Sequence, residues 1–250
     1  MAKKRCDLLQ DKLTTLYAKL ERRDNLSEGE KVSLAGCADR LVEARRGFDL
    51  VRQGDRPGQS TLLVKGVAVR YRVLHQGQRQ ITAVHVAGDF VDLHSFLLKE
   101  MDHAVGALSD CDVLLFPHEK LLNLTETQPH LTRLLWLSTL IDASVHREWL
   151  VAMGRRTAAQ QIAHLICELY VRLSVVENVT DHTFSLPITQ VDIGDILGLS
   201  SVHVNRTLQS LREEKLFTWN KQTIQILDWP GLQKRAEFDP LYLHISKEPR

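Results

Sequence analysis

Residues 200–209 read Ser200-Ser201-Val202-His203-Val204-Asn205-Arg206-Thr207-Leu208-Gln209. Val204, Leu208 and Leu211 recur at helical spacing and predict an inward face. The opposite face then carries Ser201, Val202, Asn205, Arg206 and Gln209, with His203 at its edge. These are base-reading side chains. A guanidinium pairs bidentately with guanine, Gln or Asn with adenine, and a small apolar group meets the thymine methyl. Arg206, then Gln209 or Asn205, and Val202 fit those roles. Thr189, Ser200, Ser201 and the backbone N–H groups at helix starts suit phosphates. Gln190 stands with Thr189 as a DNA-contacting candidate.

Such a face needs a helix held at a fixed angle, and the flanking residues supply one. Thr189 can cap a short helix, and Gly194 is small enough for a second helix to cross closely. Gly198 permits the tight turn, and Ser200 caps the second helix. Downstream, Leu216-Phe217-Thr218-Trp219 and Thr223-Ile224-Gln225-Ile226-Leu227 flank Asn220-Lys221-Gln222, a predicted hairpin where a wing would lie. Helix, turn, helix and hairpin together predict a winged helix-turn-helix on double-stranded DNA.

Charge does not announce this. The chain of 250 residues has a formal net charge of +1. Residues 154–250 hold 11 Lys and Arg against 11 Asp and Glu. A local footprint must therefore attract the phosphates.

The residues before 154 read differently. Leu9, Leu13, Leu16 and Leu20 predict a helix over 7–23, and Ser27 with Glu30 a capping box opening a second helix to about Leu41. From Gly47 to Asp112 the pattern is β-like, with Leu62–Val64, Val67–Val73 and Ile81–Val86 as strands. Turns fall at Gly54-Asp55, Lys65-Gly66, Gln76-Gly77 and Gly88-Asp89, the rhythm of a compact antiparallel barrel or sandwich. Thr127 as cap and Pro129 in the first turn predict a long helix to about Met153, broken at Gly154. Its apolar residues (Leu131, Leu134, Leu135, Leu137, Leu140, Ile141, Val145, Leu150, Trp136 and Trp149) cover more than one face. One face can pack on the barrel, and the other calls for a second copy of the chain. Thr157 caps a further helix to about Val175 with Ile162, Leu165, Ile166, Leu169 and Leu173 inward. A polar loop spans Asn178 to Thr183.

Cys6, Cys37, Cys111 and Cys167 form no C-x-x-C pair, which argues against zinc ribbons and clustered iron–sulfur ligation. The N-terminus lacks a signal-peptide pattern and no 18-residue apolar run occurs, so the expectation is a cytoplasmic protein with no membrane partner.

The order of elements resembles the Crp/Fnr superfamily of bacterial transcription regulators over almost the whole chain. Gly88-Asp89-Phe90 is similar to the family's glycine–acid–apolar turn. Ile193-Gly194-Asp195-Ile196-Leu197-Gly198-Leu199-Ser200 is similar to its helix-turn-helix core, with Arg206 at the recognition arginine. The resemblance implies an α+β fold: residues 1–126 a cyclic-nucleotide-binding-like β-roll sensor with N-terminal helices, 127–153 a long dimerisation helix, 154–250 the winged helix-turn-helix. It implies a non-enzymatic homodimer on an inverted repeat, controlled by a signal at the β-roll, with RNA polymerase as partner if it activates.

The departures shape the expected effector. The family's Gly-Glu pair for a cyclic phosphate falls on Asp92-Leu93, and Leu93 to Phe116 contains no arginine. Cyclic AMP held in the usual mode is not expected, nor is an iron–sulfur cluster on Cys6 and Cys37. The glutamate many members aim at cytosine falls on Val202. His94 follows the glycine–acid turn as a histidine ligand does in haem-containing members, with His75, His85 and His103 as neighbours to consider. The favoured reading of His94 is a structural histidine at a strand end. Two other classes stand beside this one: a β-barrel metalloenzyme, for which no His-x-His pair exists, and a scaffold whose winged domain binds protein.

Overall fold

The computed structural model describes residues 9–250, so Cys6 and the first residues of the segment 7–23 predicted as a helix lie outside the described part. Contacts divide the chain into two compact units. The first comprises residues up to 70, 84–142 and 245–250. The second comprises 71–83 and 143–244.

In the first unit a 3-10 turn, Asp11–Leu13, leads into α1 (Thr14–Glu21). Next comes α2 (Glu28–Cys37), whose capping box between Ser27 and Glu30 forms as the sequence predicts. This helix does not reach Leu41. Ala38 is already extended (φ −66°, ψ 145°), and Leu41–Ala44 is strand β1. The switch is paid back in strand pairing: the Asp39 N–H donates to Leu115 O at 2.8 Å, and Leu41 lies opposite Leu114.

Strands β2 (Asp49–Val51), β3 (Gln59–Lys65), β4 (Ala68–Val73) and β5 (Arg79–His85) follow. Then come α3, the single turn Ser95–Leu98, and strands β6 (Ala104–Ala107) and β7 (Cys111–Pro117). Two sheets result, β1-β7-β3 and β2-β6-β4-β5. Leu63, Val91, Met101, Val105 and Val113 form the core of this roll, each almost fully buried. The Gly-Asp turn before Phe90 is anchored from the N-terminal helices. Lys19 forms an ion pair with Asp89, and Asp89 also accepts the Val86 N–H at 2.8 Å.

The sequence reading missed helix α4 (His118–Thr127), and with it the role of Thr127. Thr127 does not cap the long helix: its hydroxyl donates back to Asn123 O at 2.8 Å. The break falls on Gln128, non-helical at φ −126° and ψ 75°, as expected of a residue before proline. The long helix α5 spans Pro129–Arg155. It also runs through Gly154 rather than stopping there. An exposed glycine inside a helix costs only about 1 kcal/mol. The actual stop is Thr157, which leaves the helical region to cap α6 (Ala158–Val175) with Gln160 as its capping-box partner.

In the second unit β8 (Thr183–Ser185), α7 (Gln190–Leu197), α8 (Ser201–Glu213), β9 (Phe217–Asn220), β10 (Thr223–Ile226) and α9 (Trp229–Ala236) follow. The sheet order is β8-β10-β9. The predicted wing is β9 and β10, paired Thr223 to Asn220 and Ile226 to Phe217. Helix α6 packs on α7, α8 and α9. Its predicted inner face, Ile162, Leu165, Ile166, Leu169 and Leu173, is buried throughout.

Candidate nucleic-acid interface

The helix pair forms for local reasons. Thr189 caps α7 reciprocally with Asp192: the Asp192 N–H donates to Thr189 Oγ1 at 3.2 Å, and the Thr189 N–H and hydroxyl donate to Asp192 Oδ2, each at 2.8 Å. Gly198 ends α7 in the left-handed region (φ 68°), where a Cβ would be strained. Ser200 restarts the chain as N-cap, its Oγ accepting from the His203 N–H at 3.3 Å. At Gly194 an added Cβ would lie 2.6 Å from Leu199 O, so only glycine permits this crossing.

Val204, Leu208 and Leu211 are buried, as their spacing predicts. Ser201, Val202, Asn205, Arg206 and Gln209 are exposed, and His203 is half-buried at the edge. From Ser201 to Gln209 the face is about 12 Å long at 1.5 Å per residue, close to the width of the major groove. Among the described residues, no hydrogen bond or ion pair engages the side chains of Arg206 or Gln209, so their donors are free for a ligand.

Gln190 and Asn205 meet: Asn205 Nδ2 donates to Gln190 Oε1 at 3.1 Å. That bond ties the start of α7 to α8 and leaves the Gln190 amide donors and Asn205 Oδ1 available. Thr189 is exposed, yet both its hydroxyl and its N–H serve Asp192. Ser200 keeps its hydroxyl proton, and the Ser201 and Val202 N–H groups open α8 without helical acceptors, the usual condition for phosphate.

Two further residues contact this pair. Strands β4 and β5 form a hairpin whose distal part, residues 71–83, belongs to the same compact unit. Its Arg79 donates from Nε to Asp195 Oδ2 at 2.8 Å and from Nη2 to Asp192 Oδ1 at 2.9 Å. Gln80 Nε2 donates to Asp195 O at 3.0 Å and Ile196 O at 3.2 Å. No local pattern signals these contacts, since Arg79 precedes Asp192 by 113 positions.

The candidate residues of the β-roll differ in exposure. His94 flanks α3 rather than ending a strand. Its ring lies 5.0 Å from that of His103, between centroids. Nε2 of both rings is buried without a hydrogen-bond partner. Burial, then the charges of Arg70 and His103, push His94 down to about 4, so it is neutral at pH 7. His85 is buried near Asp89 (3.9 Å), and His75 is exposed in the hairpin turn. Asp92 is fully buried and accepts from the Thr61 N–H at 2.5 Å and the Thr61 hydroxyl at 3.1 Å. Burial outweighs those bonds and the nearby Arg70 charge, raising its carboxyl to about 7. Arg70, almost wholly buried, donates from Nε to Val91 O at 2.8 Å and forms an ion pair with Asp142. Cys37, Cys111 and Cys167 are buried free thiols, each pushed up by burial.

A β-roll, a long helix and a winged helix-turn-helix with an open reading face define a DNA-binding regulator of transcription rather than an enzyme. Comparison with known proteins agrees. The cyclic nucleotide-binding domain family matches residues 41–128, and the Crp-like helix-turn-helix domain family matches residues 160–235. A probable transcriptional activator of Rhizobium leguminosarum bv. viciae is 29% identical over 174 residues, 70% of each chain. The transcriptional activator protein FnrL of Cereibacter sphaeroides is 26% identical over 77% of this chain and 79% of its own. The structure of FixK2 from Bradyrhizobium japonicum shares the fold, with a TM-score of 0.73 at 24% identity over 81% of this chain and 98% of that one. The chain belongs to the Crp/Fnr family of transcription regulators.

Proposed function

We propose that the protein works as a homodimer on an inverted-repeat operator, each copy laying α8 in the major groove. The observation that carries this is the exposed, unpartnered Arg206 on a helix fixed by two caps and a glycine crossing. Arg206 addresses guanine, Gln209 or Asn205 adenine, and Val202 a thymine methyl. Gln190, Ser200, Ser201 and the first N–H groups of α8 hold phosphates, with His203 at the margin. Thr189 acts chiefly as the cap that sets the angle of α7.

The dimer reading rests on α5. Leu131, Leu134, Leu135, Ile141, Val145 and Trp149 are buried, while Trp136 and Leu150 remain 63% and 70% exposed. Trp136, Leu140, Ala143, Arg147, Leu150 and Gly154 are exposed at alternating spacings of four and three. That is a heptad seam suited to a second copy of the same helix.

The β-roll takes the controlling signal in this reading. A cyclic phosphate does not fit it in the usual mode: the buried carboxyl of Asp92 occupies the turn, and Arg70 is committed to Asp142 and Val91 O. His94, neutral with Nε2 free, has the form a haem or metal ligand needs, and haem there is the lesser reading. An absorption spectrum of freshly purified protein tests it: a Soret band lost in His94→Ala assigns haem, and a featureless spectrum removes it. The regulator reading is tested by selecting duplexes from a random library. Enrichment of an inverted repeat supports it; recovery of unenriched sequence counts against it. RNA polymerase is the further partner if the protein activates.

A further inference from the structure

Asp192 and Asp195 stand three residues apart on α7 and share one face. Asp192 lies in the first turn of this helix, beside Thr189 and Gln190, and Asp195 in its last turn. Asp192 is almost fully buried, at 4% exposure of its side chain. Unopposed, two carboxylates on the first helix of a DNA-reading pair repel the phosphate backbone, an effect that salt screens. Arg79 bonds both of them, one through each arm of its guanidinium. Its cation also lies over the Tyr71 ring, 5.8 Å from the centroid. Gln80, the next residue, donates to the Asp195 and Ile196 carbonyls, which α7 leaves open at its C-terminus. One hairpin thus grips the first helix of the pair by its capping carboxylate and by its last turn.

We propose that Arg79 is a positioning residue for DNA reading, a counter-charge carried on the β4–β5 hairpin. It offsets part of the negative charge of Asp192 and Asp195 and holds α7 at the angle that presents Gln190 and α8. Without the Arg79 cation, the two carboxylates are left uncompensated and affinity for DNA falls. The inference rests on the DNA reading above and adds what holds its first helix in place.

The test uses full-length protein and the duplex that the wild type enriches from a random library, with dissociation constants measured between about 50 and 200 mM salt. Arg79→Ala is expected to weaken binding on the order of tenfold at low salt, with the gap closing as salt rises. Arg79→Lys is expected to keep part of the affinity. Adding Asp195→Asn to Arg79→Ala is expected to recover most of it, a rescue that a merely structural role would not give. Amide exchange without DNA reads the grip by itself, and protection of residues 190–197 should fall in Arg79→Ala. Wild-type affinity in Arg79→Ala at every salt concentration overturns the proposal, as does a loss that Asp195→Asn leaves untouched. Unchanged exchange protection overturns the grip. A wild type that enriches no duplex overturns the DNA reading instead, and the exchange result still shows whether the hairpin holds α7.

Discussion

The recognition helix and the interior of the β-roll both carry Arg, Ser or Thr, and histidine, yet they use them in opposite ways. Inside the roll, polar groups are mostly spent on one another: Asp92 on Thr61, Arg70 on Asp142 and Val91 O, Asp89 on Lys19. On α8, Arg206 and Gln209 are spent on nothing within the described residues. A polar group satisfied inside the fold serves the fold, whereas one held rigid and unsatisfied at the surface is available to a ligand. Nε2 of His94 and Nε2 of His103, each buried without a hydrogen-bond partner, depart from the pattern in the roll.

The contrast can be broken most severely at Gly194. In Gly194→Val the side chain meets Leu199 O, and the reading head should lose about 3 kcal/mol while the roll stays folded. Chemical unfolding followed by amide exchange in each unit measures this; equal loss in both units would show that the crossing is not local. Next in size is the proposed seam on α5. Trp136→Arg with Leu150→Arg should raise the dimer dissociation constant on the order of 100-fold, read by sedimentation. An unchanged association state would place the partner surface elsewhere.

Ser200→Ala removes the cap of α8 and should cost about 1 kcal/mol, lowering operator affinity without altering which bases are preferred. Asp92→Asn sharpens the other side of the comparison. Because the folded-state pKa of Asp92 is raised from 3.8 to about 7, the folded protein holds this proton more tightly than the unfolded chain. Its contribution to stability is present below about pH 4 and is lost as pH rises through 7. The Asn variant stays neutral, so its melting temperature relative to wild type should climb between pH 5 and pH 8. A constant difference would mean that Asp92 is ionised in the fold throughout.

What the sequence disclosed follows the range of the forces involved. Caps, turns and the inward face of α8 are set within four residues, so Thr189, Ser200, Gly198, Val204 and Leu208 were readable. The wing was readable from alternation. Where two local signals competed, the reading went astray. Thr127 resembled a cap, but the chain before Pro129 was already committed to α4, and Gly154 resembled a stop, but Thr157 supplied a better one. Leu41 continued a helical pattern until pairing with β7 claimed it. The pairs Arg79 with Asp192 and Asp195, and Arg70 with Asp142, join residues far apart in sequence. No periodicity or spacing encodes them; only the folded backbone brings them together.

Base preference tested position by position with Arg206→Ala addresses the central claim most directly. Wild type and variant are each used to select duplexes from one random library, and the enriched half-sites are compared. The account predicts that the variant loses discrimination at one position of each half-site, worth about 1–3 kcal/mol, and keeps the others. An identical preference at every position would contradict it.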